Sequence, residues 1–504
     1  MSGWWTRRSQ KRGASVRESA TDRESRHGQE IDRLKQELER LREKIAEQAK
    51  QIADLERQLA LRQQNSTTSS EPPSSDGLAG RQRERGRRMK SRRKPGGQLG
   101  HPGHCRPLVP LNRVNQRVDV FPDACRHCHH ALPARGRAVT GEPRRHQVTE
   151  LPPIEAHITE YQCPSVVCPA CGKTTQAPLP EDVAGQFGPQ LTALIAYLTV
   201  VCRVPRRLVQ ALLEGALQIP ISLGSTQATW EEASGAVAAP CQELEQALRD
   251  ESVLNSDEPG SRTNGDKRYL WALVASTYVV YRMATSRGAE VLTALLGKVF
   301  AGVLCSDRLA TYTSYHKGHL QFCWAHFKRN LLSAQDLAKT PHAQQCCREA
   351  LRLEKRLFRL WGRFRGDPTV RGGPLTRQQL VKKAIPVQQK FFALAEHSLD
   401  SADDKVRALA TALFTQHENF FVFVHHDGVE PTNNRADRAL RTAVQWRKIT
   451  FGNRSEAGEL AVARLLTVTR TCQMQQLNAL VYLTAAIRCH RRRQAVASLL
   501  PKRP

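Results

Sequence analysis

Three acidic residues, each inside a recognisable phrase, carry the chemistry this sequence could do. They are Asp257 in Asn255-Ser256-Asp257-Glu258, Asp307 in Ser306-Asp307-Arg308, and Asp437 in Pro431-Thr432-Asn433-Asn434-Arg435-Ala436-Asp437-Arg438. The first two follow or end short apolar runs, Ser252-Val253-Leu254 and Val303-Leu304-Cys305, and read as strand ends; the third opens a helix. Strand tips and a helix N-terminus can meet at one edge of a sheet. Converging carboxylates are what hard, oxygen-seeking ions such as Mg²⁺ require. The chemistry expected is metal-assisted cutting and joining of DNA.

A second constellation lies upstream. Cys125-Arg126-His127-Cys128 and Cys168-Pro169-Ala170-Cys171 are two Cys-x-x-Cys knuckles, a spacing at which paired thiolates reach one tetrahedral Zn²⁺. Cys125, Cys128, Cys168 and Cys171 would complete one structural zinc site, with Cys163, His127, His129 and His130 able to substitute. Four protein sulfurs leave no open coordination position, so this zinc is not expected to catalyse. Folding of the segment would depend on the metal.

Composition names the partner. The 504 residues hold 76 Lys and Arg against 48 Asp and Glu, a net charge of +28, which attracts polyanions. No apolar run approaches the roughly 18 residues of a membrane span, and the first residues lack a signal-peptide core. A soluble, cytoplasmic protein is expected, with its 14 cysteines as reduced thiols and metal ligands.

The elements that must position these groups separate along the chain into a multidomain α/β plus α architecture. Residues 1–28 are polar and Arg- and Ser-rich, too poor in apolar side chains to fold alone. Residues 29–64 carry a heptad pattern, with Ile31, Leu38, Ile45, Ile52 and Leu59 at one core position and Leu34, Leu41, Gln48 and Leu55 at the other. A parallel two-stranded coiled coil is expected, with Glu30–Lys35 and Glu37–Arg42 pairing across it. Residues 65–104 are a flexible and basic linker. In it Arg87, Arg88, Lys90, Arg92, Arg93 and Lys94 would contact phosphates without reading sequence. Residues 105–180 form the zinc-finger-like module. Residues 185–250 read as helices, with Pro205–Gly215 and Ser225–Ala233 flanking a turn as a helix-turn-helix-like pair. Residues 251–327 alternate as an α/β core should. Tyr269–Val274 and Tyr278–Tyr281 read as a hairpin, Ala289–Phe300 as a helix, and Gly302–Cys305 and Leu320–Trp324 as strands. Residues 328–424 read as a helical insertion between the second acid and the third, 425–488 return to the α/β core, and 489–504 are a basic tail.

The three acidic phrases resemble the transposases of the insertion sequence 66 family. So do Cys323-Trp324-Ala325-His326-Phe327-Lys328-Arg329, Arg447-Lys448 before Phe451-Gly452-Asn453, and Pro95-Gly96-Gly97-Gln98 with Gly100-His101. The resemblance implies a ribonuclease H-like catalytic domain of the DDE type, formed by 251–327 and 425–488, acting on double-stranded DNA at the terminal repeats of its own element and at a target. It also implies possible accessory transposition proteins. The catalytic acids carry over to Asp257, Asp307 and Asp437. Where the family usually has Glu in an Ala-Glu-Arg phrase this chain has Ala436-Asp437-Arg438, which draws the carboxylate roughly 1.5 Å back toward the backbone, a displacement that matters to catalytic geometry. Glu430 is the reserve third acid.

At such a site two Mg²⁺ or Mn²⁺ ions about 4 Å apart would activate the nucleophile and neutralise the leaving oxygen. Thr432 or Asn433 would cap the helix, leaving Asp437 near its positive end. Arg435, Arg438, Arg441, Arg447 and Lys448 suit phosphate contacts. His326 fits a core or strand-end position as well as a place beside the nucleophile. Two other functions fit parts of the pattern: a transposase relic or zinc-containing regulator that binds DNA without cutting, and a nuclease of branched DNA.

Overall fold

The structure, a computed structural model, describes residues 20–62, 106–133, 140–183 and 185–501. The start of the N-terminal arm, the linker and the basic stretch with Arg87, Arg88, Lys90, Arg92, Arg93 and Lys94 lie outside the described residues. The described residues fall into two compact units, one of residues 20–62, 238–477 and 498–501, the other of residues 106–133, 140–183, 185–237 and 478–497. No helix among the described residues is long and apolar enough to cross a membrane.

The heptad segment is one helix, α1 (Ala20–Arg62). Its Ile and Leu stripe is open to solvent, from 51% exposure at Leu38 to 65% at Ile45. Lys35 and Arg42 pair along the same helix, with Asp32 and Glu39.

In the second unit a short antiparallel hairpin, β1 (Ser165–Val167) and β2 (Thr174–Gln176), carries the second knuckle. Helices α2 (Pro189–Val200), α3 (Arg206–Leu217) and α4 (Leu223–Ala236) follow. Ile195, Val209, Leu213 and Ile221 form their core. The turn between α3 and α4 starts at Gln218 in the left-handed conformation, and Arg206 lies 4.7 Å from the Trp230 ring centroid, tying the two helices. The last helix, Ala479–Arg491, packs on α2 and α4 in this unit. There Arg491 is held by Glu232 at 2.7 Å.

The first unit holds the sheet. After α5 (Ala238–Ala247), β3 (Val253–Asp257) and β4 (Gly260–Thr263) both run antiparallel to β5 (Asp266–Val274) in a single register, Asp257 opposite Ala272 and Gly260 opposite Tyr269. They are one strand interrupted at Glu258-Pro259, where proline has no N–H for the ladder. The strand turns back through Asn264-Gly265, both at positive φ, the pairing that two-residue hairpin turns require. β6 (Val279–Ala284) lies on the far side of β5, whereas β7 (Val303–Ser306) and β8 (Leu320–Phe322) extend the sheet in parallel beyond β3. The result is a mixed sheet in a mixed α/β protein with many helices, compatible with the α/β plus α architecture expected.

Between the strands lie α6 (Ala289–Leu296) and α7 (Ala310–Tyr315). The helix expected over 289–300 stops at Leu296 because Gly297 turns left-handed, at φ 85. The strand expected over 320–324 ends at Phe322, and Trp324 begins α8 (Trp324–Leu337). The helical segment that follows comprises α9 (Pro341–Phe364), α10 (Arg377–Glu396), α11 (Asp404–Thr415) and the single turn α12 (Val422–His425). It is anchored on α8 by Trp324, whose ring packs on Phe327, Phe391, Phe420 and Phe421 and whose Nε1 donates to the Phe420 carbonyl at 2.5 Å. The chain returns through α13 (Asn434–Thr450), on β3 and β5, and α14 (Glu456–Met474), on β6. Backbone N–H groups of β6 that face away from β5 donate to α14: Tyr281 to Thr467 Oγ1 (3.0 Å) and Val279 to Thr471 Oγ1 (3.3 Å). Those hydroxyls, one helical turn apart, close an edge that would otherwise be open to pairing.

Candidate active site

The register of the two central strands decides how the first two acids meet. Val253, Leu254 and Asn255 stand opposite Val303, Leu304 and Cys305. Continued two positions further, the same offset sets Asp257, the last residue of β3, level with Asp307, the residue just past the end of β7. The negative charge of Asp307 is felt at Asp257.

Asp437 stands in the first turn of α13, and the Pro-Thr-Asn-Asn phrase explains how that helix is docked. Asn433 is 1% exposed. Its Oδ1 accepts from Asn255 Nδ2 (2.9 Å), its Nδ2 donates to the Ser256 carbonyl (2.7 Å), and its backbone N–H donates to Cys323 Sγ (3.1 Å). The Cys323 N–H in turn donates to the Ser306 carbonyl, and the Trp324 N–H to the Pro431 carbonyl. The buried Asn433 carboxamide thus ties the helix of the third acid to the strand of the first, and Cys323, bonded to both Asn433 and Ser306, links the strand of the second. The cap expected from Thr432 or Asn433 is corrected here: Asn433 is the N-cap residue but makes no side-chain cap bond, because its amide is committed to β3. Asn433→Ala would leave the Asn255 amide and the Ser256 carbonyl buried without partners. An expected loss of about 2–4 kcal/mol follows, measurable by denaturant unfolding.

Electrostatics agree with the geometry. Burial pushes the Asp257 carboxyl from an ordinary value near 3.8 up to about 8, and the negative charges of Glu258, Asp437 and Asp307 push in the same direction. Only its bond from the Glu258 N–H (2.9 Å) opposes them. Such an excess of buried negative charge is what a divalent cation neutralises. As the side chains stand, no three His, Cys, Asp or Glu groups among the described residues are close enough to hold one ion. Asp307 Oδ1 accepts from the Leu309 N–H (2.9 Å), and Glu430, the reserve acid, pairs with Arg365 at 3.5 Å.

The sequence alone does not mark Glu258, Tyr312, Arg287 or Arg308 as residues of this site. Glu258, with no exposed surface, takes a hydrogen bond from the Tyr312 hydroxyl and an ion pair from Arg287 at 2.6 Å. Burial raises its carboxyl too. The Tyr312 oxygen also lies 3.2 Å from Ser256 Oγ, whose hydroxyl can donate to it. A second acid immediately after Asp257 was the available signal. Arg308 lies 5.2 Å from the Phe327 ring centroid; burial lowers its pKa and Asp307 raises it. His326, in the first turn of α8, is held below the ordinary histidine value by burial and by Arg329, whereas Asp437 and Asp307 pull it up. Its buried Nδ1 has no hydrogen-bond partner among the described residues. His326 therefore stands within electrostatic reach of two of the acids.

Both cysteine knuckles fold into the same turn. The Cys125 carbonyl accepts from the His129 N–H and the Cys125 N–H donates to the His130 carbonyl; Cys168 does the same with Gly172 and Lys173. His129 (φ 58) and Gly172 (φ 68) occupy the same left-handed position. Backbone N–H groups of Cys128 and His127 draw the Cys125 thiol below its ordinary value, and those of Cys171 and Ala170 do so for Cys168. Each knuckle is thus shaped to favour a thiolate. The four sulfurs are not gathered into a single cluster.

Of the cations expected around the third acid, Arg438, Arg441 and Lys448 are exposed on α13, and Arg435 and Arg447 are partly buried.

Comparison with known proteins reaches the same segment. Residues 184–460 match the model of the transposase IS66 family, and residues 18–107 match a family of unknown function. A protein of Sinorhizobium fredii (strain NBRC 101917 / NGR234), described as uncharacterized protein y4qI, is 26% identical over 267 residues, 49% of this chain and 48% of that protein. The chain spans about half the length of this curated relative. With more than half of its length inside one family model, the chain belongs to the IS66 family of transposases.

Proposed function

We propose that the chain is a DNA transposase that binds the ends of its own insertion element and catalyses divalent-metal-dependent strand cleavage and strand transfer on a ribonuclease H-like, DDE-type catalytic domain. The observation that carries this reading is the shared level of Asp257 and Asp307 at the ends of adjacent parallel strands, with the charge of Asp437 felt at Asp257. Asp257, Asp307 and Asp437 would hold Mg²⁺ or Mn²⁺, and the bound ions would polarise the scissile phosphate and lower the pKa of the attacking water or 3′-hydroxyl. The chain's own part is to fix direction. Asn433 locks the helix of the third acid to the strand of the first, Arg287 and Tyr312 brace Glu258, the residue next to Asp257, and Arg435, Arg438 and Arg441 offer cations to the phosphates flanking the cleaved bond. Hydrolysis and strand transfer are one in-line displacement with different nucleophiles.

The remaining modules support binding. Cys125, Cys128, Cys168 and Cys171 would close around one Zn²⁺, drawing the two preshaped knuckles together. The exposed Ile and Leu stripe of α1 would be covered by a second copy in a parallel coil. The basic residues 87–94 would add salt-sensitive affinity for double-stranded DNA.

Labelled duplexes carrying the element ends, incubated with the full chain and Mg²⁺ or Mn²⁺, should be nicked, and chelation should stop the nicking. Binding without nicking under every divalent ion would instead mark a DNA-binding regulator or a relic. Cleavage governed by branching and indifferent to end sequence would mark a junction nuclease.

A further inference from the structure

Phe451 follows the last turn of α13 with its ring 89% exposed, more than any other large apolar side chain among the described residues. Its backbone is left-handed, at φ 61 and ψ 20, a conformation that is costly for a bulky side chain. The corner cannot easily relax. Gly452 sits at φ 100, and a Cβ there would lie 2.4 Å from the Arg262 carbonyl oxygen. Asn453 then bonds to β4 and the turn beyond it: its N–H donates to the Arg262 carbonyl (3.0 Å), and its carbonyl accepts from the Asn264 N–H (2.9 Å). A rigid, pinned corner therefore holds an aromatic ring out in water.

Its surroundings say what the ring meets. Arg447 and Lys448 lie in the last turn of α13, and exposed Arg454, Arg262 and Lys267 lie on the segments joined at the corner, against the acids Asp266 and Glu456. An aromatic face among cations is the arrangement that binds an unpaired nucleotide, the ring stacking on the base and the cations taking the phosphates. Phe451 lies fourteen positions beyond Asp437. At about 1.5 Å per helical residue that is about 21 Å, the length of roughly six stacked nucleotides.

We infer that Phe451 stacks on an unpaired base of the bound DNA, about six nucleotides from the phosphate at the three acids. The inference rests on the DNA-processing function proposed above and adds a single-stranded feature to its substrate. A partner protein would be the other occupant of such a ring, and the charge around it favours DNA.

The test uses the full chain with two oligonucleotide probes of one sequence, a perfect duplex and a duplex with a short mismatched bubble carrying 2-aminopurine. Wild-type protein should quench the probe base and prefer the bubble. Phe451→Ala and Phe451→Gly, the latter suited to the left-handed backbone, should each lose about tenfold in affinity for the bubble, with duplex affinity unchanged, whereas Phe451→Trp should keep it. Equal bubble affinity in wild type and both truncations overturns the inference while leaving DNA binding intact. Failure of the wild type to bind either probe overturns the DNA reading itself and the inference with it. Unchanged DNA affinity with a smaller assembly in sedimentation overturns the inference in favour of a protein contact.

Discussion

Asp257→Asn should abolish divalent-metal-dependent nicking, by on the order of 10³-fold or more, and at the same time stabilise the metal-free protein at alkaline pH. The two effects have one cause. The carboxyl of Asp257 is raised from near 3.8 to about 8, chiefly by burial and then by Glu258, Asp437 and Asp307. Between those values the folded protein holds a proton that the unfolded chain has released. The stability linked to that proton is fully present below the unfolded value and is lost as pH rises through about 8. Asparagine cannot ionise and escapes that loss. A fully realised shift is worth about 1.4 kcal/mol per pH unit, and solvent access to this partly exposed residue reduces it, so a gain of roughly 2 kcal/mol is expected. Thermal unfolding in chelator at about pH 9 should show Asp257→Asn melting several degrees above wild type, with the difference shrinking toward about pH 4. Saturating Mn²⁺ should narrow the gap from the other side by stabilising wild type alone.

Asp437→Glu should raise nicking, and Asp437→Asn should abolish it. The aspartate sits in the first turn of a helix whose position is fixed by the Asn433 amide, so the helix has little freedom to move the shorter side chain forward. One added methylene extends the carboxylate by roughly 1.5 Å, and a misplacement of that size costs about 10²-fold in comparable sites. An increase of about ten- to a hundredfold with Glu is the expected result. Glu430, by contrast, is drawn toward Arg365, and Glu430→Gln should leave the rate near wild type. If Asp437→Asn changes nothing, the third ligand has been misassigned.

Much of the chemistry was legible because it is written in contiguous phrases. The apolar runs ending at Asp257 and Asp307 are short and β-branched or aliphatic, and they fold as the parallel pair β3 and β7. The Tyr269–Val274 and Tyr278–Tyr281 hairpin has the apolar density of a buried strand pair and folds as β5 and β6. β4 was not seen, because Gly260-Ser261-Arg262-Thr263 is polar and resembles a loop; the Asn264-Gly265 dipeptide was the local signal that a strand must precede it. What the sequence could not show is pairing across distance. Asn255 with Asn433, 178 residues apart, and Tyr312 with Glu258, 54 apart, are unremarkable polar residues until the fold buries them together. The same limit explains the cap: by type Asn433 suits an N-cap, and only the nearness of β3 diverts its amide. The α1 stripe was legible as a pattern, but its partner is not a property of one chain.

The most direct measurement is the rate of nicking of element-end DNA as a function of Mn²⁺ concentration, followed side by side in wild type, Asp257→Asn, Asp307→Asn and Asp437→Asn, each first shown to bind the DNA. If the three carboxylates form one catalytic metal site, wild type nicks with a saturating dependence on Mn²⁺. All three variants then bind DNA but fail to nick at any Mn²⁺ concentration. Nicking that survives in any of them at the wild-type rate, with the same dependence on Mn²⁺, would contradict that site.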